Sequence, residues 1–63
     1  MIKRNLTYTC DNSSLLINVY NVLMFRNYLK IKIALFTKSG KMVERPKYYK
    51  VKYENIKHWK LVK

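Results

Sequence analysis

The segment Tyr28-Leu-Lys-Ile-Lys-Ile-Ala-Leu-Phe-Thr37 carries the clearest structural pattern in this sequence. Apolar residues occupy every second position from Leu29 to Leu35, and Lys30 and Lys32 lie between them. Successive side chains of a β-strand point to opposite faces of the sheet. The pattern therefore predicts a strand with an apolar inner face and a basic outer face.

The same alternation returns near the C terminus, where Tyr49, Val51 and Tyr53 are separated by lysines at 50 and 52. We interpret the three apolar side chains as core and the lysines as a second part of the basic face. Tyr48 shares the parity of these lysines, which makes it a candidate for stacking on a base.

Turn signals divide the C-terminal half of the chain. Lys38-Ser-Gly-Lys41 predicts a turn, because Gly40 can adopt a positive φ angle. A return strand is expected from residues 42–45, and Pro46 would interrupt it or place it on a sheet edge, since proline has no N–H for the ladder. A last short strand is expected at residues 58–62, with Trp59 and Leu61 on one side.

The N-terminal half is less clearly patterned. Leu6, Tyr8 and Cys10 alternate with two threonines, which predicts a strand, and Asp11-Asn-Ser-Ser14 has the composition of a turn. Residues 15–24 fit either an amphipathic helix or a strand with positions 15, 17, 19 and 23 on one face. Pattern alone leaves that choice open.

Length and charge bound the architecture and the partner. Sixty-three residues make one small domain with a small core, and fourteen basic against three acidic residues give a formal net charge of +11. A hydrophobic content of 49% is too high for a typical disordered tail. We expect an ordered domain that is most stable when a polyanion neutralises its charge.

Several function classes find no support in the sequence. One cysteine and one histidine do not make a four-ligand zinc set, the three acids are isolated, and no phosphate loop or nucleophile motif occurs. The apolar run at residues 15–25 is about half the length of a membrane span. We expect no catalysis, metal or cofactor, no membrane insertion, and activity in the compartment where the chain is made.

Nucleic acid is the favoured partner. Residues 47–63 place six lysines and one histidine among four aromatic rings, and residues 26–63 hold twelve basic residues against two acids. Lysines neutralise phosphates, and exposed rings stack on bases. Trp59 is favoured as core over a stacking role beside His58.

The chain also resembles a known family. Val51-Lys-Tyr-Glu-Asn-Ile-Lys-His-Trp-Lys-Leu-Val62 is similar to the C-terminal signature of bacterial-type ribosomal small-subunit protein seventeen. Thr9-Cys-Asp-Asn-Ser-Ser-Leu-Leu-Ile-Asn-Val19 looks like its first hairpin, and Arg26-Asn-Tyr-Leu-Lys30 like its basic central segment. The family's His-Pro dipeptide is missing, and Pro46-Lys47 stands where it has Gly-Asp. Met1-Ile2, the Asp11-Asn-Ser13 turn and Leu29-Lys-Ile-Lys-Ile33 with Gly40-Lys41 also resemble the N-terminal half of ribosomal large-subunit protein fourteen.

The resemblance implies an all-β fold, a small five-stranded barrel of the oligonucleotide-binding type, with residues 15–24 as a strand. It implies a structural constituent of the ribosome that contacts ribosomal RNA and neighbouring ribosomal proteins and does not form a homo-oligomer. It also implies RNA contacts for residues 26, 28 and 30 and for residues 57, 59 and 60. The predicted RNA-binding residues are Lys3, Arg4, Arg26, Tyr28, Lys30, Lys32, Lys38, Lys41, Lys47, Tyr48, Lys50, Lys52, Lys57, His58, Trp59 and Lys60.

The source and two rival functions stay open. Lys, Asn, Ile, Tyr and Phe supply thirty of the residues, a bias typical of A+T-rich codons that favours a mitochondrial ribosome, or the cytoplasm of a low-GC microbe or infected host. One rival is a phage or viral DNA-binding protein with the same basic face. The other is a basic membrane-surface or host-inhibiting small protein.

Overall fold

The computed structural model describes residues 2–10 and 13–62, which form five β-strands and one short helix. In chain order these are β1 (Thr7–Cys10), β2 (Leu16–Met24), β3 (Tyr28–Phe36), β4 (Met42–Lys52), α1 (Tyr53–Ile56) and β5 (Trp59–Leu61). None of the described helices is long and apolar enough to cross a membrane.

The five strands form one antiparallel sheet with the order β4-β3-β2-β1-β5. The first four strands pair with their neighbours in sequence, and β5 returns to pair with β1. The prediction of an all-β fold is confirmed. The predicted barrel is not confirmed, because β4 and β5 lie at opposite edges and the sheet is open.

The core lies on one face of the sheet and is centred on β3. Leu29 and Ile31 are fully buried, and Val19 on the neighbouring β2 is almost so. Fully burying an aliphatic side chain of this size stabilises the fold by about 1.5–3 kcal/mol. The apolar positions of β3 that alternate with lysines are therefore the main contributors to the core, as predicted.

Most of the segment 15–24, which pattern alone left open, forms strand β2, which begins at Leu16. Pairing with β1 and β3 suits its β-branched residues, which pack well on a pleated surface. The register shifts between Val19 and Asn21, so one extra residue is inserted and the parity reverses. Val22 consequently packs on the core, whereas Leu23, predicted to face inward, is 41% exposed.

Strand β4 runs through Pro46 without a break and forms one edge of the sheet. Its pairing with β3 shifts register twice, between Ile33 and Leu35 and again between Leu35 and Phe36. Proline is tolerated at edges and bulges because no ladder hydrogen bond is lost there. The edge position was one of the two expected outcomes for Pro46.

Helix α1 was not predicted. Tyr53, expected to continue a strand, begins the helix instead, and its Oη donates a hydrogen bond of 2.5 Å to the carbonyl oxygen of Phe25. Ile56 from the same turn is buried in the core. A four-residue helix has too few positions to show a period in the sequence.

The first strand is as predicted in its inner positions. Tyr8 is buried and Cys10 packs against the core, whereas Leu6 precedes the strand and is 38% exposed. The predicted turn at residues 11–14 includes two positions outside the described residues. Its described part begins with Ser13, whose N–H donates to the carbonyl oxygen of Cys10 at 3.1 Å.

Candidate nucleic-acid interface

A basic surface covers the side of the β3–β4 hairpin that faces away from the core. The register places Lys30 opposite Lys50, Lys32 opposite Tyr48, and Tyr28 opposite Lys52. Inner positions of the same strands carry Leu29, Ile31, Tyr49 and Val51. We call this surface the basic face and define it by Asn21, Tyr28, Lys30, Lys32, Tyr48, Lys50 and Lys52.

The charges on the basic face are of one sign. Like charges directly opposite each other on neighbouring strands are destabilising, and Lys30 and Lys50 are such a pair. Among the described residues the two acids lie elsewhere: Glu54 is on α1, and Glu44 lies on the core side of β4, where it accepts a hydrogen bond from Tyr49 Oη. The arrangement thus suits an external anion better than it suits the isolated fold.

Tyr48 lies across the neighbouring strand β3. Its Oη accepts a hydrogen bond of 2.9 Å from Asn21 Nδ2 on β2. Because adjacent strands are about 4.8 Å apart, β2 and β4 are separated by about 10 Å. The side chain must therefore extend along the sheet surface to reach Asn21. Tyr48 is 43% exposed, and the Nζ atoms of Lys30 and Lys32 lie 5.8 and 5.9 Å from its ring centroid.

A second aromatic group closes one end of the basic face. The rings of Phe25 and Tyr28 stack with centroids 4.9 Å apart and planes 17° from parallel. Lys50 Nζ lies 4.4 Å from the Tyr28 ring centroid. The hydrogen bond from Tyr53 to the Phe25 carbonyl anchors this pair to α1.

Sequence reasoning missed Asn21 and Phe25. Asn21 contributes only because three strands align it with Lys32 and Tyr48, and no local pattern shows that alignment. Phe25 lies three residues before Tyr28, so the two rings could have been recognised as neighbours across the β2–β3 turn.

The remaining predicted RNA-binding residues are dispersed. Exposed cations precede β1 or occupy the turns. Lys38 and Lys41 lie in the β3–β4 turn, at the end of the hairpin that is far from the basic face. Lys60 shares the outer side of the sheet but pairs with Thr9, three strands away from β3. Residues outside the basic face are Lys3, Arg4, Arg26, Lys38, Lys41, Lys47, Lys57, His58, Trp59 and Lys60.

Lys47 is the clearest departure within β4. It pairs with Ile33 on the core side, so it points away from Tyr48 and the basic face. Its Nζ forms a salt bridge of 2.8 Å with Glu44 and lies 5.3 Å from the Tyr49 ring centroid. Lys47 therefore neutralises an acid of the chain itself.

Trp59 also lies on the core side of the sheet. It is half-buried, packs against the core and has its ring centroid 6.4 Å from that of Tyr8. This agrees with its interpretation as core. The described residues contain no cluster of three or more His, Cys, Asp or Glu side chains that could hold a metal ion.

Comparisons with known proteins return no match: neither a protein-family model, nor a curated protein, nor a solved structure is similar to this chain. The resemblance to ribosomal protein seventeen therefore stays a prediction. What supports a function is the distribution of charge and aromatic rings over the sheet.

Proposed function

We propose that this protein binds RNA through the basic face and serves as a non-catalytic structural component of a ribosome. The observation that carries the proposal is the alignment of four lysines with exposed Tyr48 on one side of the β3–β4 hairpin. A sheet face of this composition offers both phosphate contacts and a ring for a base.

The four lysines provide the affinity. Each amine that meets a phosphate releases condensed counterions, which makes binding strong at low salt and weak at high salt. Lysines on adjacent strands are about 5 Å apart, and those two residues apart on one strand about 7 Å. Their long flexible stems can follow a curved RNA backbone, so this contact selects shape more than sequence.

Tyr48 provides a position for one unpaired base. Base edges of an RNA helix are hidden in its deep, narrow major groove, whereas bases in loops and bulges can leave the stack. The Asn21 hydrogen bond holds the Tyr48 ring over the sheet before RNA arrives. The preferred target is thus a helix with an adjacent unpaired nucleotide, as structured ribosomal RNA supplies.

The ribosomal assignment rests on size, charge and the resemblance of residues 9–19, 26–30 and 51–62 to a ribosomal family. A mitochondrial or similarly reduced ribosome fits the A+T-rich codon bias. The chief rival is a viral or phage single-strand DNA-binding protein, which the exposed ring of Tyr48 also favours. Affinity for a structured RNA hairpin compared with a single-stranded DNA of equal length decides between them.

The test is the salt dependence of RNA binding. Fluorescence anisotropy measures the affinity for a labelled RNA hairpin that carries an unpaired loop. About four phosphate contacts predict a slope of about −3 to −4 in a plot of log affinity against log salt. Replacing both Lys50 and Lys52 with Glu should weaken binding at least about tenfold and reduce the slope by about two. A slope near zero for the unmodified chain would overturn the proposal.

A matched control uses the same change of charge at another place. Lys38 and Lys41 are exposed lysines of the turn that joins β3 to β4. This turn is at one end of the hairpin, and the basic face lies towards the other end. Replacing both with Glu alters the net charge equally but leaves the basic face intact. Equal losses for the two double variants would show that total charge, and not this surface, determines RNA binding.

A further inference from the structure

A second surface lies on the core side of the sheet. The proposed RNA contact is on the other side and does not involve it. On the core side, an open groove of about 580 Å³ runs between β1, β5 and α1. This volume is in the range of ligand-binding clefts, about 300–1,000 Å³. The apolar groove, as we name it, is lined by Leu6, Tyr8, Trp59 and Leu61, with Lys3 and Lys57 among its lining residues.

The groove exposes apolar side chains whose burial would stabilise a small domain. Leu6 is 38% exposed and Leu61 46% exposed, although both adjoin the buried Tyr8. A domain of this length has little apolar surface to spare for its core. Aromatic residues such as Tyr8 and Trp59, with an apolar body and a polar tip, are also enriched in protein interfaces.

The groove is continuous with an edge of the sheet. Val62 N–H donates to the Thr7 carbonyl oxygen, and Lys60 pairs with Thr9. Since main-chain groups alternate in direction along an antiparallel strand, those of Trp59 and Leu61 point away from β1, towards the open edge. Side chains of the same two residues line the groove. A strand added beside β5 would therefore place every second side chain at the groove.

Charge selects among possible occupants. Among the described residues, those that line the groove include Lys3 and Lys57 and no acid. A second copy of this chain would bring another +11 charge to the contact, which opposes self-association. An acidic partner is attracted instead, and electrostatic complementarity of this kind raises association rates and favours the correct partner.

We propose that the apolar groove binds an extended segment of a partner protein, which adds to the sheet beside β5. The segment presents apolar side chains to the groove and also carries acidic residues, which can pair with the lining residues Lys3 and Lys57. Main-chain hydrogen bonds to the edge provide affinity, and the alternate apolar side chains provide specificity. This site is separate from the basic face, so RNA and the partner bind opposite sides of one sheet.

The experiment uses the full chain and synthetic peptides of about nine residues, a length sufficient to span a short edge strand. The test peptide alternates Leu or Val with Thr and has two Glu at each end; the comparison peptide has Lys at the same ends. Trp59 is the only tryptophan, so its fluorescence reports occupancy of the groove directly. We expect saturable binding of the acidic peptide and at least tenfold weaker binding of the lysine peptide.

Two variants locate the site. Leu61→Glu places a negative charge in the groove and should weaken the acidic peptide at least tenfold. Leu23→Glu changes a residue of similar exposure, 41%, on the opposite side of the sheet, and should leave peptide affinity unchanged. Circular dichroism checks that both variants keep the fold.

Other outcomes overturn the proposal. N-methylation of alternate main-chain amides of the peptide blocks strand pairing, so undiminished binding of that peptide would exclude addition to β5. Equal binding of both peptides, or no response of Trp59 to either, would exclude an acidic extended segment. A Trp59 response to dodecanoic acid alone would make the groove a lipid site, and Leu61-dependent dimerisation in sedimentation would make it a self-interface.

Discussion

Replacement of Ile31 tests whether the strand-centred core accounts for the stability of this domain. Ile31 has no exposed surface and lies between Val22 and Tyr49 on the neighbouring strands. Ile→Val changes in cores cost about 0.5–1.5 kcal/mol, and Ile→Ala changes about 2–5 kcal/mol. A single core in a chain of this length rarely supplies more than about 3–5 kcal/mol.

These magnitudes predict different behaviour for the two variants. With a urea dependence of about 1 kcal/mol per molar for a small protein, Ile31→Val should lower the unfolding midpoint by about 1 M. Ile31→Ala should remove most of the total stability and leave the chain largely unfolded at 25 °C. Circular dichroism during urea titration measures both effects.

Val43→Ala provides the control, because Val43 is 55% exposed on the edge strand. Exposed substitutions of this kind change stability by about 0.5 kcal/mol or less. A loss below about 1 kcal/mol for Ile31→Ala would refute the reasoning, since it would mean that this face of β3 is not the centre of the core.

Three further predictions concern the ring, the turn and the edge. In anisotropy titrations, Tyr48→Leu should weaken binding to a hairpin with an unpaired loop by about 1–3 kcal/mol. The same change should barely affect binding to a fully paired duplex. Tyr48→Phe should retain most of the affinity for the hairpin. Gly40 has φ of +94° and an added Cβ meets nothing within 4 Å, so Gly40→Ala should lower stability by about 1 kcal/mol in thermal melts purely through the backbone. Pro46→Val restores a main-chain N–H on an edge strand, and sedimentation should then show concentration-dependent association; a strictly monomeric variant would contradict the protective role of Pro46.

Side-chain parity along β3 and β4 could be read from the sequence. Strict alternation placed Lys30, Lys32, Lys50 and Lys52 on one side and the apolar residues between them on the other, and the pairing register agrees. Alternation is informative here because one face is buried, and a slip of one residue would expose the whole apolar set.

Bulges explain most of what could not be predicted. The register shift at residues 19–21 moves Leu23 outward, and the shifts along β4 bring Glu44 opposite Leu35. Lys47 lies before these shifts and keeps the parity of Tyr49 and Val51, so its place on the core side follows from simple alternation. A bulge inserts one extra residue into a strand, and no characteristic amino-acid composition marks its position in the sequence. Parity counted across such a point is reversed.

Contacts between distant strands were likewise beyond sequence reasoning. The hydrogen bond between Asn21 and Tyr48 joins residues of β2 and β4 across an intervening strand. Open or closed topology also depends on which edges meet, and strand patterns contain no information on that point. The open sheet could therefore not be distinguished from a barrel.

The pairing of β1 with β5 has a consequence for the order in which the domain folds. The other three strand pairs join neighbours along the chain, whereas this one brings Cys10 beside Trp59, which lies 49 positions later in the sequence. Closing a long loop is entropically unfavourable and slows the formation of such contacts. We expect β5 to dock last and to exchange its amide hydrogens first, so the wall of the apolar groove opens by local unfolding while the β2–β4 meander stays intact. A partner strand that pairs with β5 would then stabilise the least stable part of the sheet against local unfolding.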